Sequence, residues 1–327
     1  MISSKASISV IIPVKNRAHL LPATLDNILS QTLLPLEILV IDDGSEDDIE
    51  RVKQAYKGRV SFHINRGTGP GAGRNTGLQM AKGKYIQFFD SDDLMTRNKL
   101  ALQSAALEAS GRNMVYGPYV MAEEVETDQW KQRDVVMQFD PLPAHVSLDQ
   151  WVLRGWCSIT QACLFRREML QAVGPWREDL MPHEDKEYMY RIGLAEPWPL
   201  HVRGGFVLYR QHGSQITDKS TSLRARALDG LKAHTSIAGQ IEKSPDVRTE
   251  LIWRGRLQHQ YRYIKPTDEE LNQFGIAPQR DPDPVSSLFF RLNNRFERFR
   301  TGSNWETMHG INKSPTLFEH IVKQVYA

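Results

Sequence analysis

The chain has 327 residues, of which 40% are hydrophobic and 24% charged, a composition typical of one large globular domain or of a domain with an appendage. The formal net charge of +2 argues against nucleic acid or another acidic polymer as a partner. Cys157 and Cys163 lack the spacing of a metal site or redox motif. No apolar run approaches the roughly 18 to 20 residues of a membrane span, and the first residues lack a signal peptide's apolar stretch. We therefore expect a cytoplasmic protein, with attachment to the inner face of the membrane left open.

The first 120 residues alternate strand and helix patterns. Short apolar runs predict strands at residues 8–13, 37–41, 60–64 and 85–89. Helical spacing of apolar residues predicts helices at residues 21–29, 49–56 and 74–82. This alternation indicates an α/β fold with a mixed, mainly parallel sheet covered by helices on both faces. Ligands of such sheets lie beyond the carboxyl ends of the strands.

The later part of the chain changes character near residue 220. Residues 114–217 are mixed and loop-rich, and we expect them to continue the same domain as the second wall of a cleft. Helical patterns then appear at residues 223–238, 249–263 and 285–300. We therefore expect a first domain over residues 1–218 and a mainly helical extension over residues 219–327.

Three carboxylates crowd the end of the fourth predicted strand, in the run FFDSDD at residues 88–93. Carboxylates at such a position repel each other and resist desolvation, so their clustering favours a bound cation. Oxygen ligands suit a hard ion such as Mg²⁺ or Mn²⁺, which commonly binds phosphate oxygens as well. The alternative is that residues 91–93 cap a helix that begins near Leu94.

A glycine-rich loop, GTGPGAG, spans residues 67–73 and contains a GxGxxA match. Such a match raises the alternative of a dinucleotide-binding dehydrogenase, in which the glycines approach a pyrophosphate. That motif normally follows the first strand, whereas this loop follows the third and contains Pro70. The position of the loop therefore disfavours the dehydrogenase interpretation.

Five short motifs occur in a recognisable order. They are VIIPVKN at 10–16, IDDGS at 41–45, GRNTG at 73–77, FDSDD at 89–93 and HED at 183–185. In order and spacing they resemble the family 2 glycosyltransferases of GT-A fold, inverting enzymes that use nucleotide-activated sugars. The resemblance covers about residues 7–217 and implies a nucleotide-sugar half at about 7–120 and an acceptor half at 121–218.

The resemblance implies a donor nucleotide site at the strand ends. Its residues would be Pro13, Val14, Asn16, Arg17, Asp43, Arg74, Asp90 and Ser91. Asp43 would accept a hydrogen bond from the base of a nucleotide-diphosphate sugar, with a UDP-sugar as the favoured donor. Arg74 would approach the base or a phosphate. A plain turn is the alternative for Asp43, and a solvated charge at a helix start is the alternative for Arg74.

The same resemblance implies a metal site and a catalytic pair. Asp92 would bind Mn²⁺ or Mg²⁺ directly, and His212 corresponds to a histidine that completes this site in some relatives. A structural histidine is the alternative for His212. Asp185 would be the catalytic base for an acceptor hydroxyl, and Glu184 would help to hold the acceptor. The alternative is that these two carboxylates only favour a helix N-terminus electrostatically.

The acceptor is the least defined part of this interpretation. It would be the hydroxyl of a glycan, a lipid-linked glycan or a small molecule, and Trp156 could stack on it or else belong to the core. A nucleotidyltransferase is an alternative enzyme class, although its usual glycine-rich loop is absent from VKNR at residues 14–17. A binding module that has lost its chemistry is the non-enzymatic alternative.

The run at residues 285–300 combines an apolar helical face with several arginines. Leu288, Phe289, Leu292, Phe296 and Phe299 form the face. It could contact an anionic membrane surface, a partner or second subunit, or the protein's own domain. The sequence leaves these three interpretations open.

Overall fold

The computed structural model describes residues 6–126, 129–156, 158–213, 223–241, 246–276, 284–301, 311–313 and 325. Its strands are β1 (Ala6–Val14), β2 (Pro35–Asp42), β3 (Ser61–Ile64), β4 (Tyr85–Phe88), β5 (Leu94–Met95), β6 (Met114–Tyr116), β7 (Tyr119–Glu126), β8 (Gln129–Met137), β9 (Cys163–Arg166), β10 (Leu200–His201) and β11 (Val207–Gln211). Its helices are α1 (Leu21–Leu29), α2 (Ile49–Ala55), α3 (Gly69–Met80), α4 (Lys99–Ser110), α5 (Leu148–Leu153), α6 (Arg167–Val173), α7 (Glu184–Ala195), α8 (Leu223–Ser236), α9 (Ala238–Ile241), α10 (Val247–Ile264), α11 (Asp268–Phe274) and α12 (Pro284–Thr301).

The four predicted strands pair in one seven-stranded sheet with the order β10-β6-β9-β4-β1-β2-β3. Strand β9 runs antiparallel to β4 and β6, and the other neighbouring pairs are parallel. Alternate residues of β1 enter different cores: Ile11 packs on one face with α7, and Val10 and Ile12 pack on the other with α1. The predicted α/β fold, with a mainly parallel sheet covered on both faces, is confirmed.

A second sheet, with the order β5-β11-β7-β8, lies after the acidic run. The chain enters β5 immediately after Asp93, and β5 pairs antiparallel with β11. The helix expected near Leu94 begins only at Lys99, so the helix-capping interpretation of residues 91–93 is wrong. Instead, this pairing brings the end of β11 beside the carboxylates.

Helix α3 begins at Gly69, five residues earlier than the sequence pattern predicts, so its glycines belong to the helix. Gly73 and Gly77 face β1 at very short range. A Cβ at Gly73 would stand 2.9 Å from Pro13 Cβ, and one at Gly77 would collide with Ile11 Cγ2. These two glycines therefore let α3 lie directly against β1, which places Arg74 over the carboxyl end of the sheet.

The C-terminal helices pack on the first domain. Ile237, Ile252 and Phe290 belong to the same core as Trp151 of α5. A separate cluster within these helices includes Leu228, Leu231, Leu257, Ile264, Leu271 and Ile276. The expected domain boundary at residues 218/219 lies outside the described residues and stays a prediction.

Helix α12 docks through a face that, among its described side chains, shares only Phe289 with the predicted one, and Phe289 packs partly buried against the main core. Ser286 and Phe290 are buried against α10, whereas Leu288 and Leu292 are 51% and 56% exposed. The side chains of Phe296 and Phe299 lie outside the described residues. Packing on the protein's own domain thus accounts for only one side of this helix. Within the described part of the chain, no helix has the length and apolar character needed to cross a membrane.

We predict that Gly77→Ala destabilises the protein by about 1 to 3 kcal/mol, because the new methyl group must displace a fully buried Ile11. Urea unfolding measures this change. Gly239→Ala is the matched control, since Gly239 is exposed, helical and has nothing within 4 Å of its ideal Cβ. Equal free energies of unfolding for the Gly77 variant and wild type would contradict the close α3–β1 contact.

Candidate active site

A cavity of about 560 Å³ lies beyond the carboxyl ends of β1, β2 and β4. Of the thirteen residues predicted for the site, eleven line it: Pro13, Val14, Asn16, Arg17, Asp43, Arg74, Asp90, Ser91, Asp92, Glu184 and Asp185. Residues more than 170 positions apart in sequence thus meet in one space. The two predicted residues that do not line the cavity are His212, which contacts Asp92, and Trp156.

Arg74 joins the acidic run to the HED motif. Its Nη2 donates to Asp90 Oδ1 at 3.1 Å, and its Nη1 donates to Glu184 Oε1 at 2.9 Å. The guanidinium stacks 4.6 Å from the centroid of the Trp176 ring and is only 5% exposed. The expected alternative of a solvated charge at a helix start is therefore wrong, because Arg74 lies in the second turn of α3 and is buried. This arginine holds the strand end and α7 together.

The carboxylates of the acidic run have different partners. Asp93 is fully buried, and its two oxygens accept from the Arg210 backbone N–H and from Gln161 Nε2, each at 2.8 Å. Gln161 also donates to Asp90. Arg210 donates from Nε to the backbone carbonyl of Asp92. Both oxygens of Asp93 thus form hydrogen bonds within the protein, whereas the Asp92 side chain lines the cavity.

Asp92 lies between two basic side chains. His212 Nε2 is 2.8 Å from Asp92 Oδ2, and Arg17 Nε is 3.8 Å from the same oxygen. The side-chain oxygens of Asp90, Asp92 and Asp93 lie within 4.8 Å of one another, a spacing that a metal ion could fill. His212 therefore stands where it could either ligate a metal beside Asp92 or hydrogen-bond to that carboxylate.

Asp43 lines the cavity beside the start of α3. Its Oδ1 accepts from Asn65 Nδ2 at 2.7 Å, and its Oδ2 accepts from the Gly69 backbone N–H at 3.0 Å. These bonds fix the carboxylate against the start of α3, whereas a plain turn would leave it in solvent. Lys15 Nζ also lies 3.5 Å from Oδ2, whereas Oδ1 can accept a further hydrogen bond. Asn16 ties the neighbouring loops, since its Oδ1 accepts from the Glu46 backbone N–H at 2.7 Å.

Glu184 and Asp185 begin helix α7, and His183 precedes them with φ +83°. Burial raises the pKa of Glu184, and the nearby charge of Arg74 only partly opposes that rise. Burial likewise raises the pKa of Asp90 and, further, of Asp93, where neighbouring carboxylates add to the effect. The positive charges of Arg74 and Arg210 therefore offset only part of the effect that burial has on the pKa values of these carboxylates.

Trp156 does not line the cavity. It is 1% exposed and packs edge-on against Tyr116 at a centroid distance of 5.7 Å, in the main core. A ring buried in this way offers no face to a sugar, so the acceptor-stacking role proposed for it is wrong and the core alternative holds.

The sequence pattern missed several residues that build the site, among them Gln161, Arg210 and Trp176. Gln161 gave no signal, because a single glutamine in a loop-rich region matches no motif. Arg210 lies two positions before His212, and only the pairing of β11 with β5 brings it to the acidic run. Their roles depend on contacts over 68 to 118 positions, which no local pattern encodes.

The family model for glycosyl transferase family 2 matches residues 9–174, just over half of the 327 residues. This chain belongs to that family. The matched residues include the strand-end motifs and the acidic run, and they end before the HED motif. Membership thus rests on the half of the cavity that carries Asp43, Arg74 and Asp92.

Two relatives of this family 2 chain illustrate the match. An uncharacterised glycosyltransferase of Rickettsia bellii (strain RML369-C) is 39% identical over 121 residues, which cover 36% of this chain and 18% of that protein. The Escherichia coli protein named UDP-Glc:alpha-D-GlcNAc-diphosphoundecaprenol beta-1,3-glucosyltransferase WfgD is 34% identical over 114 residues, or 34% and 45% of the two chains. The matched segments thus span less than half the length of these relatives.

Solved structures share the GT-A fold of this family 2 chain. S. aureus TarS 1-349, in complex with UDP-GlcNAc, superposes with a TM-score of 0.62 at 18% identity and covers 91% of this chain and 93% of its own. GalNAc-T7, solved with UDP, GalNAc and Mn²⁺, has a TM-score of 0.54 at 15% identity and covers 90% and 58%. At these identities the likeness concerns the fold.

The raised pKa of Glu184 predicts how stability depends on pH. Because the folded state binds the Glu184 proton more tightly than the unfolded state, this residue's contribution is most favourable below its ordinary pKa of 4.5 and declines as pH rises above it. The unfolding free energy of wild type minus that of Glu184→Gln should therefore fall between pH 4.5 and neutrality. Urea titrations at several pH values measure it.

Glu108→Gln is the control for this prediction. Glu108 is exposed, and its hydrogen bond to Lys84 lowers its pKa, so its small contribution should rise with pH. If the difference in unfolding free energy between wild type and Glu184→Gln stayed level or rose with pH, the pKa of Glu184 would not be raised in the folded state and the prediction would be wrong.

Proposed function

We propose that this protein is a metal-dependent, inverting glycosyltransferase that moves a sugar from a nucleotide-diphosphate donor, with a UDP-sugar favoured, to an acceptor hydroxyl. The observation that carries the proposal is the single cavity lined by Asp43, Arg74, Asp92 and Asp185. Membership of family 2 supports sugar transfer over the nucleotidyltransferase, dehydrogenase and non-catalytic alternatives. The acceptor would be a glycan, a lipid-linked glycan or a small molecule, and the diphosphoundecaprenol in the name of the E. coli relative supports the lipid-linked class.

The donor would lie along the strand ends. Asp43 would accept from the base with its remaining lone pairs, and the loop at residues 13–17 would form the edge beside it. Asp90 would face the ribose, held in place by Arg74 and Gln161. UDP and UDP-GlcNAc in the TarS structures of the same fold support a uridine donor.

The residues around Asp92 fit a divalent cation. Carboxylate oxygens and an imidazole nitrogen suit Mn²⁺ or Mg²⁺, and Asp92 with His212 would hold it, since Asp93 is occupied by Arg210 and Gln161. When bound, the cation would neutralise the negative charge of the diphosphate leaving group. Arg17, 3.8 Å from Asp92, adds positive charge on the same side.

Asp185 would act as the general base. As the acceptor oxygen forms its bond to the anomeric carbon, Asp185 would take the hydroxyl proton, and the bond from that carbon to the diphosphate oxygen would break with the electron pair leaving on the nucleotide. Attack from the opposite face inverts the configuration. Glu184, fixed by Arg74, would orient the acceptor beside Asp185. The first domain would supply all of these groups, with residues 219–327 as a helical extension.

We predict that Asp185→Asn lowers the transfer rate by about 10²- to 10⁴-fold, because the amide cannot take the proton. Affinity for UDP with Mn²⁺ should change less than about twofold, since Asp185 would contact the acceptor. Product formation and calorimetric UDP titration measure the two quantities.

Asp268→Asn is the matched control for this change, since Asp268 also begins a helix, α11, and is exposed. It should leave the transfer rate unchanged. If Asp185→Asn behaved like Asp268→Asn, with at most a small loss of stability, the helix-terminus interpretation of Asp185 would hold and the base role would be wrong.

We predict that Asp92→Asn weakens Mn²⁺-dependent UDP binding at least tenfold and affects metal-free binding much less. The reason is that an amide oxygen is a poorer ligand for a hard cation than a carboxylate. Thermal-shift titrations of UDP and of other nucleoside diphosphates, with and without Mn²⁺, measure this and identify the preferred base. Asp140→Asn, in an exposed pair with Arg203, is the control. Metal-dependent shifts of wild-type size in the Asp92 variant would refute the assignment.

A further inference from the structure

A second cavity, of about 330 Å³, adjoins the active-site cavity, and His183 lines both. It lies between the start of α7 and helices α8 and α10. Four basic side chains line it: His183, Lys186, Arg256 and His259. The described residues that line it include no aspartate or glutamate. Lys186 and Arg256 therefore make the cavity cationic, and it opens next to the proposed base.

Arg256 is the central cation of this cavity. Burial lowers the pKa of Arg256, and no described carboxylate forms an ion pair with it. Its Nε is buried without a hydrogen-bond partner among the described residues. A partly buried guanidinium without a counter-charge is unfavourable, and an anion in the cavity would relieve that cost.

The surrounding histidines reflect the same positive field. Burial lowers the pKa of His234 to about 3, and the charge of Arg256 lowers it further, so His234 stays neutral while contacting the Gly230 carbonyl at 2.9 Å. Burial and the charges of Arg256 and Arg262 also lower the pKa of His259. Arg256 thus creates a positive electrostatic potential at both histidines, and an anion bound in the cavity would reduce that potential.

We propose that this cavity binds the phosphate or diphosphate group of an acceptor whose sugar hydroxyl lies at Asp185. The inference rests on the proposed function and names its acceptor class, a sugar 1-phosphate or a sugar diphosphate ester. Lys186 directly follows Asp185 near the start of α7, and His183 lines both cavities, so the second cavity begins beside the proposed base. Guanidinium and ammonium groups are the side chains that bind phosphate oxygens most strongly.

The donor's own diphosphate does not explain these cations. The proposed metal site at Asp92 and His212 lies in the first cavity, and neither residue lines the second. Arg256 comes from the helical extension, which the family match at residues 9–174 does not reach. The second cavity thus offers a separate site for an anion, contributed in part by the extension.

Calorimetric titration of the full chain, saturated with UDP and Mn²⁺, tests this proposal. With the donor site filled, glucose 1-phosphate is the probe, and methyl glucoside is its uncharged counterpart. Wild type should bind glucose 1-phosphate more tightly than methyl glucoside. Arg256→Gln should weaken glucose 1-phosphate binding at least tenfold and leave methyl glucoside unaffected.

Two further variants separate charge from packing. Arg256→Lys keeps the charge and should retain most of the affinity for glucose 1-phosphate. Arg254 lies on the same helix and forms an exposed ion pair with Glu250. Arg254→Gln should therefore bind glucose 1-phosphate as tightly as wild type does. UDP affinity, measured in every variant, reports a folded donor site and thus tests the proposed function separately.

Three results would overturn the inference. One is equal glucose 1-phosphate affinity in wild type and Arg256→Gln while UDP binding is normal. Another is no preference of wild type for glucose 1-phosphate over methyl glucoside. The third is inorganic phosphate binding as tightly as glucose 1-phosphate, which would make this a free-phosphate site with no role for the acceptor sugar. Failure of UDP to bind wild type would instead contradict the proposed donor.

Discussion

The structure of the site depends on the burial of carboxylates at the end of β4 and at the start of α7. Asp93 and Glu184 are buried and Asp90 is half-buried, and this burial raises the pKa of each. Such a cluster is unfavourable unless positive groups surround it. Arg74 supplies one such group from α3, and Arg210 supplies another from β11. The need to compensate this charge therefore determines which elements must meet.

Backbone packing makes that compensation geometrically feasible. Gly73 and Gly77 let α3 lie against β1, so the guanidinium of Arg74 reaches both Asp90 and Glu184. Trp176 supports the same guanidinium from its face. A larger residue at either glycine would move α3 outward and separate Arg74 from one of its partners. The positions of the proposed catalytic groups thus depend on residues that do not line the cavity.

The C-terminal helices take part in the same arrangement. They share the main core through Ile237, Ile252 and Phe290, and α10 carries Arg256 to the neighbourhood of α7. Cations therefore flank the proposed base from a segment that the family match does not reach. Leu288 and Leu292 of α12 are exposed and form an apolar surface. This surface is compatible with both the membrane interpretation and the subunit interpretation of the helix.

The sequence by itself determined the fold class, the strand ends and most of the cavity. Apolar runs predict strands from a few neighbouring residues. Motifs such as GRNTG and FDSDD likewise consist of consecutive residues, so they can be recognised without the tertiary structure. It misplaced what depends on distant contacts: the start of α3 at Gly69, the strand that follows Asp93, and the burial of Trp156. It also missed Gln161 and the cationic cavity, because a lone glutamine or arginine acquires its role only when remote elements pack around it. Only the tertiary structure decided these points, since burial and charge compensation are properties of the assembled chain.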